Sequence, residues 1–135
     1  MKGTLVDSNV LIDVLAGDAD WAPWSGDALA HLGSQGPLII NEVIYAEVSQ
    51  RYSRKELLDH ELPEAVFLRE HLPWSAAFLA GKAYLAYRRR GGHRRSPLPD
   101  FFIGAHAAVA DLRLLTRDAA RYRTYFPRLD LIAPD

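Results

Sequence analysis

Short, mostly apolar runs separated by helix-forming stretches constrain the fold of this chain more than any other feature of its sequence. The runs cover residues 4–6, 38–40 and 113–116, and a fourth short strand is expected at 129–133. Runs of this length without polar alternation are typical of strands buried on both faces of a parallel sheet. Because helical stretches connect them, the sequence predicts an α/β fold with a mostly parallel sheet.

Capping residues mark the helices between these strands. Asn41 is expected to cap one helix, and Pro63 suits the first turn of a further helix. Ser75 is expected to cap a long helix over residues 76–90. The apolar side chains of that long helix are interpreted as core, namely Phe78, Leu79, Ala83, Leu85 and Ala86.

Composition excludes several classes of protein. The chain has 135 residues, which fits one domain over residues 1–135 with a real core. It has no cysteine, so disulfide scaffolds and thiolate sites are excluded. No apolar run approaches the roughly 20 residues that cross a bilayer, and no signal peptide is evident. We therefore expect a cytoplasmic protein without a membrane partner.

The charge of the chain is unevenly distributed, although its formal net charge is only −1. Residues 1–87 contain 6 basic and 12 acidic side chains, whereas residues 88–128 contain 10 arginines and 3 acidic side chains. The near-neutral total conceals this split between an acidic first part and an arginine-rich stretch, and the split requires an explanation.

Acidic residues follow or adjoin the predicted strands. Asp7 comes directly after the first strand, Asp118 lies two residues past the third, and Asp100 opens a helix. In open parallel sheets, sites form at the carboxyl ends of strands, where the strand order reverses. Either Asp7 or Asp118 alone is equally well explained as a helix cap, but their joint occurrence favours a site.

Glu47 is the better choice for a fourth carboxylate than Glu42. Five residues apart on one helix, the two point about 140° apart and do not both face one site. Glu42 lies in the first turn, where the helix dipole alone favours an acid. Glu47 lies on the apolar face, where a carboxylate is costly unless it is paired or binds a metal.

Oxygen ligands of this kind suit Mg²⁺ or Mn²⁺ rather than zinc. Four neighbouring carboxylates, Asp7, Glu47, Asp100 and Asp118, would repel one another without a divalent cation. A cation held there is suited to phosphodiester hydrolysis through a metal-activated water. His106 points about 120° from Asp100 and is interpreted as a packing or surface histidine.

Four segments, in this order, resemble a PIN domain and, within that family, a VapC-type toxin ribonuclease. They are LVDSNVLID at 5–13, NEVIYAEV at 41–48, LPDFFIGAHA at 98–107 and LLTRD at 114–118. The resemblance implies a three-layer α/β/α sandwich and an endoribonuclease that depends on Mg²⁺ or Mn²⁺. The family's acidic quartet corresponds to Asp7, Glu47, Asp100 and Asp118, in agreement with the choice of Glu47.

The resemblance also implies supporting residues and partners. Ser8, Asn9 and Thr116 match polar positions that support the family's site. Glu42 departs from the family pattern and places an extra carboxylate near the rim of the site. The implied partners are an RNA substrate, a second copy of the chain in a homodimer, and a small antitoxin whose C-terminal arm covers the site.

Arginines and tryptophans add secondary expectations. Arg88, Arg94, Arg95 and Arg117 are candidates for phosphate contacts with RNA, although the helix dipole alone also favours Arg88. Trp21 and Trp24 suit either an interface or local packing. The alternative to a nuclease is a non-catalytic PIN-like module that binds RNA or protein. Loss of acidic positions would mark such a module, and all four are present.

Overall fold

Five parallel strands form one sheet in the computed structural model, which describes residues 2–92 and 98–134. The strands are β1 (Thr4–Val6), β2 (Leu38–Ile40), β3 (Phe67–Arg69), β4 (Arg113–Leu115) and β5 (Leu131–Ile132). Their order across the sheet is β3-β2-β1-β4-β5. The predicted α/β class with a parallel sheet is confirmed.

Seven helices connect the strands within the described residues. They are α1 (Ser8–Ala16), α2 (Ala22–Gln35), α3 (Glu42–Ser49), α4 (Lys55–Glu61), α5 (Trp74–Arg89), α6 (Leu98–Val109) and α7 (Ala120–Tyr125). The chain runs outward from β1 to β3 and then crosses back to β4 and β5. Right-handed crossovers in the two directions place helices on both faces of the sheet, which gives the three layers of a PIN-like fold.

The register of the central strands aligns the polar residues that follow them. Leu5 of β1 pairs with Ile39 of β2 on one side and with Leu114 of β4 on the other. The strand order reverses at β1, so the ends of β1 and β4 flank the crevice in which such sheets hold their sites. Asp7 and Thr116 therefore meet at this edge.

Gly104 lets α6 approach the end of the chain closely. A Cβ atom on Gly104 would lie 2.5 Å from the Phe126 ring and 3.1 Å from the Tyr122 ring. Both rings are buried, and Phe101 on the same helix also packs against Phe126. The absence of a side chain at position 104 thus sets the position of α7 next to α6.

The sequence is wrong about a helix opening at Pro63. The carbonyl of Pro63 accepts hydrogen bonds from the N–H groups of Val66 and Phe67, so the backbone makes a single turn there. The turn does not continue because residues 67–69 pair with β2 as the edge strand β3. Tertiary pairing overrides the local helix signal in this segment.

The sequence is also wrong about which face of α5 is buried. Phe78 is 70% exposed and Leu79 and Leu85 are exposed as well, whereas Ala76 and Ala80 are fully buried. α5 packs along α6, where its partly buried Tyr84 and Tyr87 contact the Phe101 ring, while Phe78, Leu79 and Leu85 face outward. Within the part of the chain that the structure describes, no helix has the length and apolar character needed to span a membrane.

Candidate active site

Asp7 lies at the centre of the site, directly after β1, and is only 3% exposed. The hydroxyls of Thr116 and Tyr122 both donate to its Oδ2, each at 2.8 Å. Burial, followed by the negative charge of Asp100, raises the pKa of Asp7 to about 6, and the two hydroxyls oppose this shift only in part. Asp7 is thus held firmly, but by neutral groups.

Glu47 comes to the same place from α3. The Ser8 hydroxyl donates to Glu47 Oε1 at 2.8 Å and lies 3.4 Å from Asp7 Oδ1, so one serine adjoins both carboxylates. Burial and the charge of Asp100 raise the pKa of Glu47, while the bond from Ser8 lowers it. The contact with Ser8 agrees with the choice of Glu47 over Glu42.

Glu42 has a different function on the opposite side of α3. Its carboxylate accepts hydrogen bonds from His71 Nδ1 at 2.6 Å and from the Leu72 N–H at 3.0 Å. Although burial opposes the shift, these bonds hold the pKa of Glu42 below its usual value. Glu42 therefore fixes the segment after β3 and does not extend the acidic cluster.

Asp100 lies in the first turn of α6 and accepts a hydrogen bond from Arg121 Nη1 at 2.8 Å. Burial raises the pKa of Asp100 in spite of this arginine, and the nearby charge of Asp118 raises it further. Asp118 is exposed, and its backbone N–H donates to the Thr116 hydroxyl at 3.2 Å. The structure thus brings all four predicted carboxylates to one edge of the sheet.

Thr116 and Asn9 connect the two central strands at this edge. The Asn9 amide nitrogen donates to the Thr116 hydroxyl at 3.3 Å, and its Oδ1 accepts the Arg117 N–H at 3.1 Å. Together with the bond from Ser8 to Glu47, these contacts give Ser8, Asn9 and Thr116 the positions expected of supporting residues. Their functional role stays a prediction.

Two residues of α7 at this site were missed by the sequence reasoning. Tyr122 donates to Asp7, and burial raises the pKa of its phenol well above the usual value, so the hydroxyl stays a donor. Arg121 pairs with Asp100 and lies over the Tyr87 ring at 5.8 Å. Their spacing of three and four residues after Asp118 is the available signal, because it places both within about one helical turn of the site.

His106 lies outside the site, as expected. It is buried, and its Nδ1 accepts a hydrogen bond from the Asn41 amide nitrogen at 2.9 Å. Burial lowers the pKa of His106, so the ring is neutral. Asn41 Oδ1 meanwhile accepts the Ile44 N–H and caps α3. The histidine therefore orients the cap of the helix that carries Glu47.

The arginines predicted to contact RNA differ in their placement. Arg88 is exposed near the end of α5. Arg94 and Arg95 lie outside the described residues. Arg117 donates through Nε to Asp13 at 2.8 Å and lies 5.2 Å over the Trp21 ring, which also packs edge-on against Trp24. This ion pair, rather than a substrate phosphate, accounts for the position of the Arg117 side chain.

The donor set at this edge fits a hard divalent cation. Four carboxylates are accompanied by one paired cation, Arg121, and three of the four have raised pKa values. In residues 2–92 and 98–134, no three acidic, histidine or cysteine side chains already converge as ligands of one ion. Mg²⁺ commonly uses only one or two carboxylates and keeps several waters, so the open arrangement suits it.

Comparison with known proteins identifies the family. The family model of the PIN domain matches residues 4–127, which is nearly the whole chain. Among curated proteins, none matches this sequence.

Among the solved structures to which this chain is similar are toxin–antitoxin complexes. VapBC2 from Rickettsia felis bound to a promoter DNA fragment has a TM-score of 0.75 and 17% identity, covering 98% of this chain and 99% of that one. VapBC-1 from nontypeable Haemophilus influenzae has a TM-score of 0.73 and 16% identity over 97% of both chains. A toxin–antitoxin complex from Klebsiella pneumoniae has a TM-score of 0.70 and 20% identity over 98% of both. At these identities the likeness establishes the fold.

Proposed function

The chain belongs to the PIN-domain family, and we propose that it is an endoribonuclease that depends on Mg²⁺ or Mn²⁺. The observation that carries the proposal is the buried Asp7, whose hydrogen-bond partners are hydroxyls and whose nearest charges are other carboxylates. Among the described residues Asp7 has no countercharge, which is unfavourable for a buried carboxylate and favours binding of a cation from solution. The remaining oxygen donors lie beside it.

Asp7, Glu47, Asp100 and Asp118 would hold the cation. When bound, it would lower the pKa of a water and offset charge on a phosphoryl oxygen. Thr116 and Tyr122 fix the orientation of Asp7, and Ser8 fixes that of Glu47. Arg121 holds Asp100 and adds a positive charge beside the position of a substrate phosphate.

Cleavage of a mixed RNA pool tests this function. We expect cleavage with Mg²⁺, none with EDTA, and strongly reduced cleavage by Asp7→Asn. Asp111→Asn is a matched control, because Asp111 is exposed and has a backbone φ of 54°, which asparagine also tolerates. Cleavage that persists in EDTA, or full activity of Asp7→Asn, would overturn the mechanism.

The RNA backbone would be contacted by Arg88, Arg94 and Arg95, which precede Asp100 in the sequence. Each phosphate contact adds to the slope of log affinity against log salt concentration, by about 0.7 for a single strand. Arg94→Ala with Arg95→Ala should therefore weaken RNA binding and lower this slope by about 1.4. An unchanged slope would exclude phosphate contact by these two side chains.

We also propose that the protein is a toxin that acts through this site. It would act in the cytoplasm, and a small antitoxin would inhibit it. The neighbouring solved structures are complexes of this kind. An antitoxin segment that covers the carboxylate edge would block both metal and RNA. Expression of the chain alone should arrest growth of a bacterial host, and Asp7→Asn should relieve the arrest. Equal toxicity of Asp7→Asn would contradict a toxin that acts by cleavage.

The outer face of α5 is the surface on which a homodimer would form. Trp74 is 91% exposed and Phe78 is 70% exposed, and Leu85 continues the same stripe. Exposed aromatic rows of this kind are typical of protein interfaces. Phe78→Arg should raise the dimer dissociation constant at least about 10-fold in analytical ultracentrifugation. Leu57→Arg, at an exposed leucine of α4, is the control and should leave it unchanged.

A further inference from the structure

We propose that Asp13 and Arg117 form a positioning pair that sets the geometry of the loop at 116–118 and thereby the affinity of the site for its divalent cation. This inference rests on the proposed function. It concerns an ion pair that lies beside the acidic cluster and contains none of its four carboxylates.

Asp13 is buried in a way that requires a cationic partner. Its side chain is 2% exposed on α1, and its Oδ2 accepts hydrogen bonds from the Ser25 hydroxyl at 2.9 Å and from Arg117 Nε at 2.8 Å. Because a buried carboxylate is costly without a countercharge, Asp13 holds the arginine tightly. The anchor thus lies in the core between α1 and α2, not on the loop itself.

Arg117 is fixed through both its side chain and its backbone. The guanidinium lies between Asp13 and the face of Trp21, at 5.2 Å from the ring centroid. The N–H of Arg117 donates to Asn9 Oδ1 at 3.1 Å. Two independent anchors on one residue leave the loop little freedom to rotate about it.

The neighbours of Arg117 both belong to the acidic site. Thr116 donates to Asp7 at 2.8 Å, and the charge of Asp118 acts on Asp100. With Arg117 held by Asp13, the backbone of its two neighbours is held as well, and the Asp118 N–H donates to the Thr116 hydroxyl at 3.2 Å. Release of Arg117 would let the exposed Asp118 leave the cluster. Groups that orient metal ligands in this way typically contribute 10- to 100-fold in metal affinity.

Arg69 provides a matched control in the same chain. Its side chain is 32% exposed, as is that of Arg117, and it donates to Asp59 at 2.8 Å and lies 5.0 Å over the Tyr45 ring. Arg69 belongs to the edge strand β3. Like Arg117, it contacts one carboxylate and one aromatic ring. Loss of Arg69 therefore removes an ion pair and a ring contact without touching the loop at 116–118, although Asp59 is more exposed than Asp13 and keeps Lys55 as a partner.

The test is binding of Mn²⁺ to the RNA-free protein, measured by calorimetry and by electron paramagnetic resonance. Arg117→Met, which keeps the apolar stem over Trp21, should weaken Mn²⁺ binding at least 10-fold, and Arg117→Lys should restore part of the loss. Asp13→Asn combined with Arg117→Met should be no worse than either single change, because the two residues act as one unit. Arg69→Met should bind Mn²⁺ as the unmodified chain does.

The outcomes separate this inference from the proposed function. Unaltered Mn²⁺ affinity of Arg117→Met, even with a lower melting temperature, would overturn the positioning role alone. Failure of the unmodified chain to bind Mn²⁺ would overturn the proposed function and the positioning role together. RNA binding in EDTA should be the same for Arg117→Met and the unmodified chain. A loss there would assign Arg117 to phosphate contact and would also overturn the inference.

Discussion

Two aspartates six residues apart, Asp7 and Asp13, are almost equally buried but have opposite electrostatic surroundings. Asp7 is 3% exposed and Asp13 is 2% exposed. Asp13 is paired with Arg117, so its countercharge is part of the fold. Asp7 accepts hydrogen bonds from two hydroxyls and lies beside other acids.

The difference separates a carboxylate that is paired within the fold from one that we propose binds a cation. Hydroxyls satisfy the hydrogen-bonding capacity of Asp7 but do not neutralise it, and the pKa of Asp7 is consequently raised to about 6. Asp13 instead uses a cation to fix the chain. A buried acid that lacks a countercharge among residues 2–92 and 98–134 therefore supports the proposed cation site at Asp7.

The largest expected effect is on catalysis. Asp7→Asn should lower RNA cleavage by about 10³-fold, since a metal ion contributes several kcal/mol and about 4 kcal/mol corresponds to 10³-fold in rate. Asp13→Asn should lower the cleavage rate less than Asp7→Asn does, and its cleavage rate should recover as the Mg²⁺ concentration is raised. Cleavage rates over a Mg²⁺ titration check this, and equal recovery of both variants would remove the distinction between the two aspartates.

The two aspartates should also have opposite effects on stability without metal. Asp13→Asn should lower the free energy of unfolding by about 3 kcal/mol. This value lies at the low end of the losses seen when a buried ion pair is broken, because Arg117 is about one-third exposed. Asp7→Asn should raise it by about 1–2 kcal/mol at pH 7, because it removes an unneutralised charge. Urea unfolding in EDTA measures both, and a loss of stability in Asp7→Asn would contradict the assignment.

The pH dependence has a defined sign. The folded-state pKa of Asp7 is raised from 3.8 to about 6, so its contribution to stability is present at low pH and is lost as the pH rises through 6. Between pH 4 and pH 7, the unmodified chain in EDTA should lose about 2 kcal/mol relative to Asp7→Asn. Saturating Mg²⁺ should remove that loss. A constant difference between the two chains across this range would contradict the raised pKa.

The smallest expected effects concern the hydroxyls that donate hydrogen bonds to each aspartate. Ser25→Ala and Tyr122→Phe should each lower the free energy of unfolding by about 1 kcal/mol, as is usual for one hydrogen bond. Tyr122→Phe should in addition weaken Mn²⁺ binding about 10-fold, because it frees the Asp7 carboxylate. Calorimetry separates the two variants, and equal Mn²⁺ affinities would show that Tyr122 is purely structural.

Local patterns in the sequence predicted much of the fold and the candidate site. Short apolar runs such as Leu38–Ile40, bounded by turn residues, are typical of buried strands, and Asp7 stands directly after another such run. The helical spacing of Glu42 and Glu47 was sufficient to separate them. These features depend on neighbours within a few residues, so they are readable along the chain.

Features that depend on distant contacts were not predictable in the same way. The edge strand β3 forms because β2 is available for pairing, and the outward face of α5 is set by close packing on α6. Phosphate contact by Arg117 stays a prediction, and the ion pair that positions its side chain is with Asp13, 104 residues away in sequence. The residues next to Arg117 in the sequence do not distinguish a phosphate contact from an ion pair with a distant carboxylate.

The sequence by itself determined the strand–helix alternation and the positions of the four candidate carboxylates from which the cation site is proposed. Only the tertiary structure decided which charges are neutralised within the fold. It assigns a cation to Asp13 and hydroxyls to Asp7, and it brings Tyr122 to Asp7 across 115 residues. The physical reason is that residue type and periodicity are local properties, whereas the stability of a buried charge depends on every group that folding places around it.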